Sequence, residues 1–403
     1  MKGMGAAVWG KSLVEKTKMV VNRRTLVIAG TAMLLAGCKL IPETVEPTTS
    51  VPEATPTPEP SATALPSDST RHRVALLVPM SGEAGAVGQS LANATTMALI
   101  DTNANNLRIT TYDTSQGASA AARRAIADGN ALILGPLLAG NVPAVQAQAR
   151  PAGVPAIAFS NDTSVASADV FVMGHIPEQS IARSVRYARQ QGARNFAALL
   201  PEGDYGQRSY SALTNSLREY GGTLAAFERY ARGNTSIVGA AQRLKTRGGF
   251  DTVLIADGAR LAVRAADELK SGGGGLQLVG TELWSGESAL TRSSAVNGAI
   301  FSAVSDGRFR RFSDSYEARF GSKPYRIATL GYDSVLLTLR VARDWRVGSR
   351  FPKNELYDAG GFLGVDGPFR FMRNGVAERA LEVREIRGNE IVAVDAAPTA
   401  FSR

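Results

Sequence analysis

Short, largely uncharged runs alternate with helix-length stretches along most of this chain. No other feature of the sequence constrains the fold as much. Residues 74–78, 107–112, 131–134 and 156–159 read as strands, and 86–103, 118–127 and 142–152 between them read as helices. The rhythm resumes with strands at 196–200, 225–230, 252–255 and 276–279, separated by helices at 209–220, 235–246 and 260–269. Apolar strands that alternate with helices belong in parallel sheets covered on both faces, because each crossover helix lies on one face of the sheet it connects. The fold class expected is α/β with parallel sheets. A body of about 330 residues exceeds one comfortable hydrophobic core, so two lobes with a cleft between them are expected.

The last third opens no further domain. Residues 325–345, YRIATLGYDSVLLTLRVARDW, read as one strong helix, and 367–386 alternate like a β-hairpin with Asn374-Gly375 as its turn. These elements are expected to return and complete both lobes. Lobe 1 is then about 71–175 plus 304–345, and lobe 2 about 176–303 plus 346–395, within a folded region of 71–403.

The single cysteine, Cys38, lies well before this body. Lys11, Lys16, Lys18, Arg23 and Arg24 make a basic start, and residues 25–37 run uncharged. That run falls short of the roughly 20 apolar residues a membrane-spanning helix needs. A basic segment, a short apolar segment and small residues before a cut site describe a secretory signal, here residues 1–37. A start at Met1 or at Met19 keeps that tag. Leu35, Ala36, Gly37 and Cys38 resemble the lipobox of bacterial lipoproteins, which implies lipidation of Cys38 and attachment to a membrane surface. Lys39 in place of aspartate points, by the same resemblance, to the outer membrane. With Cys38 so used, no thiol remains for a disulfide, a nucleophile or a metal. Residues 38–70 follow as a tether, and 41–70 hold seven prolines and few large apolar side chains. Such a segment cannot bury enough to offset its ordering entropy, and at about 3.1 Å per residue it reaches up to roughly 90 Å.

The formal charge is +9, of which residues 1–37 contribute +5, leaving a mildly basic +4. No run of Lys/Arg interleaved with aromatics suggests nucleic-acid binding. The two histidines are His72, at the end of the tether, and His175, in FVMGHIPEQS. No G-x-S-x-G elbow accompanies Ser81 or Ser160, so an enzyme is not expected. No cluster of His, Cys and carboxylates indicates a metal, and GEAGAVGQS is not a dinucleotide fingerprint, so no cofactor is expected.

VALLVPMSGEAGAVGQSLANATTMAL resembles the opening of type I periplasmic binding proteins, the leucine/isoleucine/valine-binding group. EGDYGQRSYSAL is similar to that family's Tyr-Gly turn, GTELWSG to its Gly-x-Glu loop, and GFLGVDGPFRFMRNG to its closing hairpin, all in the family's order across about 72–395. The resemblance implies two Rossmann-like lobes joined by three crossovers, His175 marking the first, with a ligand at the carboxyl ends of the strands. It also implies that Glu282 takes a ligand ammonium and that Tyr205 stacks on ligand. Helix N-termini and hydroxyls would take a carboxylate. The cleft candidates are therefore Ser81, Gly140, Asn141, Ser160, Asn161, Tyr205, Asp257 and Glu282. Thr163 is a further possible donor. The family's hydroxyl-rich loop is missing here. GPLLAGNV, residues 135–142, stands in its place.

That GPLL loop, with LGYDSVLLTLRVARDW and GPFRFMRNGVAERALEV, resembles the carboxy-terminal domain of penicillin-binding protein activators. Those outer-membrane lipoproteins share the fold and stimulate a peptidoglycan synthase across the periplasm. The helical-repeat domain of the enteric members is not found in this sequence. Two readings result. The first, favoured by the loop and the anchor, is a regulator docking on a cell-wall synthase through exposed side chains such as Arg308, Arg310, Arg311 and Tyr316. The second is a receptor that closes on an amino acid or similar small polar solute and docks on an ABC permease.

Overall fold

The computed structural model describes residues 70–401, Asn234 and Gly274 excepted. Cys38, the signal segment and nearly all of the tether lie outside the described residues.

The first sheet is built from β1 (His72–Val78), β2 (Leu107–Asp113), β3 (Leu132–Leu134), β4 (Ala156–Ala158) and β5 (Val170–Val172). Its order is β2-β1-β3-β4-β5, and every neighbouring pair is parallel. Between the strands run α1 (Gly85–Asp101), α2 (Ala118–Ala127) and α3 (Val142–Ala149). α2 shows why such segments are helical. Ala118, Ala121, Ala122 and Ala125 recur at helical spacing and are the residues it buries, while Arg123 and Arg124 face water. α3 stops three residues short of the expected 152, ahead of Pro151, which has no N–H to continue the ladder.

The second sheet repeats the scheme with β6 (Asn195–Pro201), β7 (Thr223–Tyr230), β8 (Thr252–Ile255), β9 (Gln277–Val279) and β10 (Ile300–Ala303). Its helices are α4 (Pro177–Gln190), α5 (Asp204–Tyr220), α6 (Ser236–Arg247) and α7 (Ala259–Lys270). Two late strands, β14 (Glu382–Arg387) and β15 (Glu390–Asp395), join it antiparallel at one edge, giving β15-β14-β10-β9-β8-β6-β7.

Between β10 and β14 the chain returns to the first lobe. α8 (Phe309–Phe320) and α9 (Thr329–Val341) lie on α1. The expected long helix at 325–345 is thus shorter, with a 3-10 turn before it, and Trp345 leaves it to stack on His72 at 4.0 Å. His72 is accordingly a buried strand residue rather than part of the tether. Next, β11 (Phe362–Gly364), β12 (Gly367–Phe371) and β13 (Ala377–Arg379) form a small antiparallel sheet. Asn374-Gly375 makes the expected turn, and Gly375, at φ +80°, accepts a 2.8 Å hydrogen bond from the Val172 N–H through its carbonyl. A side chain on Gly375 would stand 2.9 Å from the Val170 carbonyl oxygen.

This corrects the expected boundary at 346. Phe362, Phe369, Phe371 and Ala377 belong to the same hydrophobic cluster as Val74, Leu76, Leu134 and Leu330. The small sheet therefore covers lobe 1, and the chain crosses into lobe 2 only near Leu381. Residues 367–386 are not one hairpin, because β14 leaves for the other sheet. Tyr316 also differs from expectation. It is buried between α8 and α1 and accepts a hydrogen bond from Asn93 Nδ2 at 3.0 Å, whereas Arg310 and Arg311 are exposed.

Candidate functional site in the seam between the lobes

The carboxyl ends of β6 and β9 build the core of the site. α5 starts immediately after β6, and its Gly206 sits so close to the Pro201 carbonyl that a Cβ would lie 1.7 Å from the oxygen. The first turn of α5 is thereby pulled onto the strand end, and Tyr205 reaches the loop after β9. Its hydroxyl lies 2.9 Å from Thr281 Oγ1 and 3.0 Å from Glu282 Oε1. The Glu282 loop is held from below. Trp284 is fully buried against Gly280 and donates from Nε1 to the Asp257 carbonyl at 2.9 Å.

Glu282 Oε1 has Tyr205, but Oε2 is buried without a partner. Burial raises this carboxyl to about 7, even though the Tyr205 hydrogen bond favours its ionised form. Glu282 lines a cavity of about 10 Å³ together with His175, Gln179, Ser285, Arg379 and Leu381. That volume suits about one water molecule.

Arg208, one turn along α5, closes the seam. Its Nε and Nη2 each lie 2.7 Å from a Glu178 carboxylate oxygen, and Nη2 donates to the Asn161 carbonyl of lobe 1 at 2.6 Å. Arg326 makes a second bridge. It donates to Ser285 Oγ at 3.3 Å in lobe 2 and to Asp366 Oδ1 at 2.6 Å in lobe 1.

Asp366 gathers the crossover region. It also receives His175 Nε2 at 2.8 Å and Thr329 Oγ1 at 2.9 Å, with Arg379 Nη1 at 3.8 Å. Burial alone would push the Asp366 carboxyl up, but Arg326 and His175 outweigh it and hold the group well below the usual range. Burial lowers His175, against the opposing pull of Asp366. Asp333 takes the other course. Burial and the Asp366 charge raise it to about 7, while its oxygens accept the Val365 and Asp366 N–H groups.

The expected candidates thus separate. Tyr205 and Glu282 come together, and Asn161 meets this lobe through its carbonyl and Arg208 rather than through its amide. Ser160 is buried, and its Oγ accepts the Asp162 N–H within its own turn. Asp257 is fully engaged by Tyr230, Arg232 and the Gly258 N–H, which makes it a brace for the loop. Ser81 bonds Ser115 on the surface, and Gly140 and Asn141 form a 3-10 turn before α3. Among the described residues none of these three contacts Glu282. Arg208, Glu178, Arg326 and Arg379 were missed, because arginines are spread through the sequence and their partners are distant in it. The one available signal was Arg208 at i+3 from Tyr205, which places both on one helix face.

A family model described as periplasmic binding protein matches residues 72–390. An uncharacterized protein of Rickettsia prowazekii is 30% identical over 159 residues, which is 39% of this chain and 43% of that protein, so less than half of the relative is spanned. Solved structures agree over far more of the chain. A leucine binding protein from Thermotoga maritima superposes with a TM-score of 0.62 at 19% identity, over 81% of this chain and 98% of that one. A branched-chain amino acid substrate-binding protein from Streptococcus pneumoniae, in complex with isoleucine, gives 0.63 at 20% identity, over 81% and 100%. A solute binding protein from R. palustris, in complex with benzoate, gives 0.64 at 18%, over 83% and 98%. These are solute-binding proteins, not enzymes, and they share the two-lobed fold described above. This chain belongs to the periplasmic binding protein family.

Proposed function

We propose that this chain is the solute receptor of an ABC-type importer, with lobes that open and close on a small polar solute carrying an amino or other N–H donor group. The observation that carries this reading is the buried, unpartnered Oε2 of Glu282 at the seam between the lobes. A buried carboxylate oxygen without a donor is costly, and a ligand ammonium would satisfy it. The isoleucine held by the Streptococcus pneumoniae protein is a ligand of this class, whereas the benzoate held by the R. palustris protein carries no N–H donor and falls outside it. The seam has room for about one water, so the solute enters only when Arg208 and Arg326 release their partners across it. Lipidated Cys38 and the tether would keep the receptor in the periplasm on a membrane surface.

A second reading, a penicillin-binding-protein activator-type regulator on the outer membrane, draws on one observation. The seam is already filled by arginine bridges. The deciding measurement is thermal melting of the full-length chain against amino acids and aromatic carboxylates. A solute at 100 times its Kd adds about 2.7 kcal/mol of stability. A melting shift that Glu282→Ala abolishes supports the receptor. No shift with any solute, together with binding to a purified cell-wall synthase, favours the regulator instead.

A further inference from the structure

Outside the seam, four arginines converge on one concavity. Arg232, Arg260, Arg264 and Arg292 line a pocket of about 630 Å³ at the carboxyl edge of β7 and β8, and no Asp or Glu lines it. Arg232 is already used. Its Nε is held by Asp257 at 2.9 Å and its guanidinium lies over Tyr205 at 5.1 Å. Arg260, Arg264 and Arg292 are exposed and, among the described residues, have no ion pair or hydrogen-bond partner. Arg260 and Arg264 are one turn apart on α7, a spacing at which like charges destabilise a helix. Asp267 and Glu268, at i+3 and i+4 from Arg264 on the same helix, offset part of that cost but do not line the pocket. The first turns of α6 and α7 carry no acid that would compete for these guanidiniums. Leu261, Val263 and Ala289 supply apolar wall beside the charge.

We propose that this pocket binds a small organic phosphate. Guanidinium forks match phosphate oxygens bidentately, the volume falls within the range of small-molecule sites, and the apolar wall would take the carbon portion. The pocket is shallow and open to solvent, so the ligand would stay partly exposed while the guanidiniums hold its phosphate. The pocket adjoins the seam through Arg232, which lies over Tyr205, but Glu282 does not line it, and the proposal stands whether or not the seam binds a solute.

Isothermal titration of the full-length chain with inorganic pyrophosphate at low ionic strength tests it. The expected result is saturable binding to one site, weakened at least tenfold in Arg264→Gln/Arg292→Gln. Binding should be unchanged in Arg123→Gln/Arg124→Gln, an exposed pair on α2 in the other lobe. All these side chains are exposed, so the melting temperature serves as the folding control. Absence of saturable heat, equal affinity in the Arg264/Arg292 variant, or citrate or sulfate binding as tightly as pyrophosphate would each overturn the proposal.

Discussion

Glu282 couples the site to pH. Its carboxyl is raised from 4.5 to about 7 by burial, so between those values the folded chain keeps a proton that the unfolded chain has released. The sign follows from linkage: this stabilisation is complete below about 4.5 and is lost as the pH rises through about 7. Glu282→Gln should remove that share, on the order of 1–3 kcal/mol, from the difference between urea midpoints at about pH 5 and about pH 8. Asp333 shifts in the same direction but is present in both proteins, so it cancels in the comparison. An unchanged pH profile in the variant would show that Glu282 is not buried as described. Binding has the opposite sense. A cationic solute prefers the ionised carboxylate, so its affinity should increase up to about tenfold as the pH rises through the Glu282 value, read by titration calorimetry. Glu282 and Tyr205 were legible because a short motif marks each of them. Asp257 stands among the cleft candidates without a motif of its own, its three partners make it structural, and no spacing in the sequence distinguishes a brace from a ligand contact.

Among the elements, the crossover cluster and the strand-to-helix turns carry the largest penalties. Arg326→Ala would leave Asp366 buried with one guanidinium fewer, and breaking a buried pair costs about 3–5 kcal/mol. A urea midpoint close to that of the native protein would contradict this. Gly206→Ala should cost at least about 1–3 kcal/mol by overpacking, because the Pro201 carbonyl already occupies the space of a Cβ. A Cβ on Gly88 of α1 would lie at the same 1.7 Å from the Pro79 carbonyl oxygen, so both lobes use one device to set a helix on a strand end. Most strands and helices could be read from the sequence, since apolar runs such as ALLV in β1 and TVLI in β8 have few alternatives to a doubly covered strand. The destination of β11 to β13 could not. Alternation in FRF identifies a half-buried strand but not the lobe that buries it, and that choice rests on Phe371 meeting Phe171, far away in the sequence, with Phe369 packed on Phe371 in the same cluster.

At the scale of the molecule, the lobes meet through a few long side chains rather than a continuous apolar face. Arg208→Ala removes the bridge from α5 to the Asn161 carbonyl and should shift the molecule towards an open form. Small-angle scattering would read this as a larger radius of gyration, and an unchanged radius would mean that the seam is held elsewhere. The three crossings also set the order in which the protein can be made. The first lobe begins with β1, an interior strand of its sheet, but is sealed by α9 and the small sheet. Roughly 250 residues separate β1 from α9, about 10–50 s of synthesis at about 5–20 residues per second. Throughout that interval one face of the first sheet has α1 but neither α9 nor the small sheet to cover it, and the second lobe lacks β14. Neither half completes its native core before nearly the whole chain has emerged.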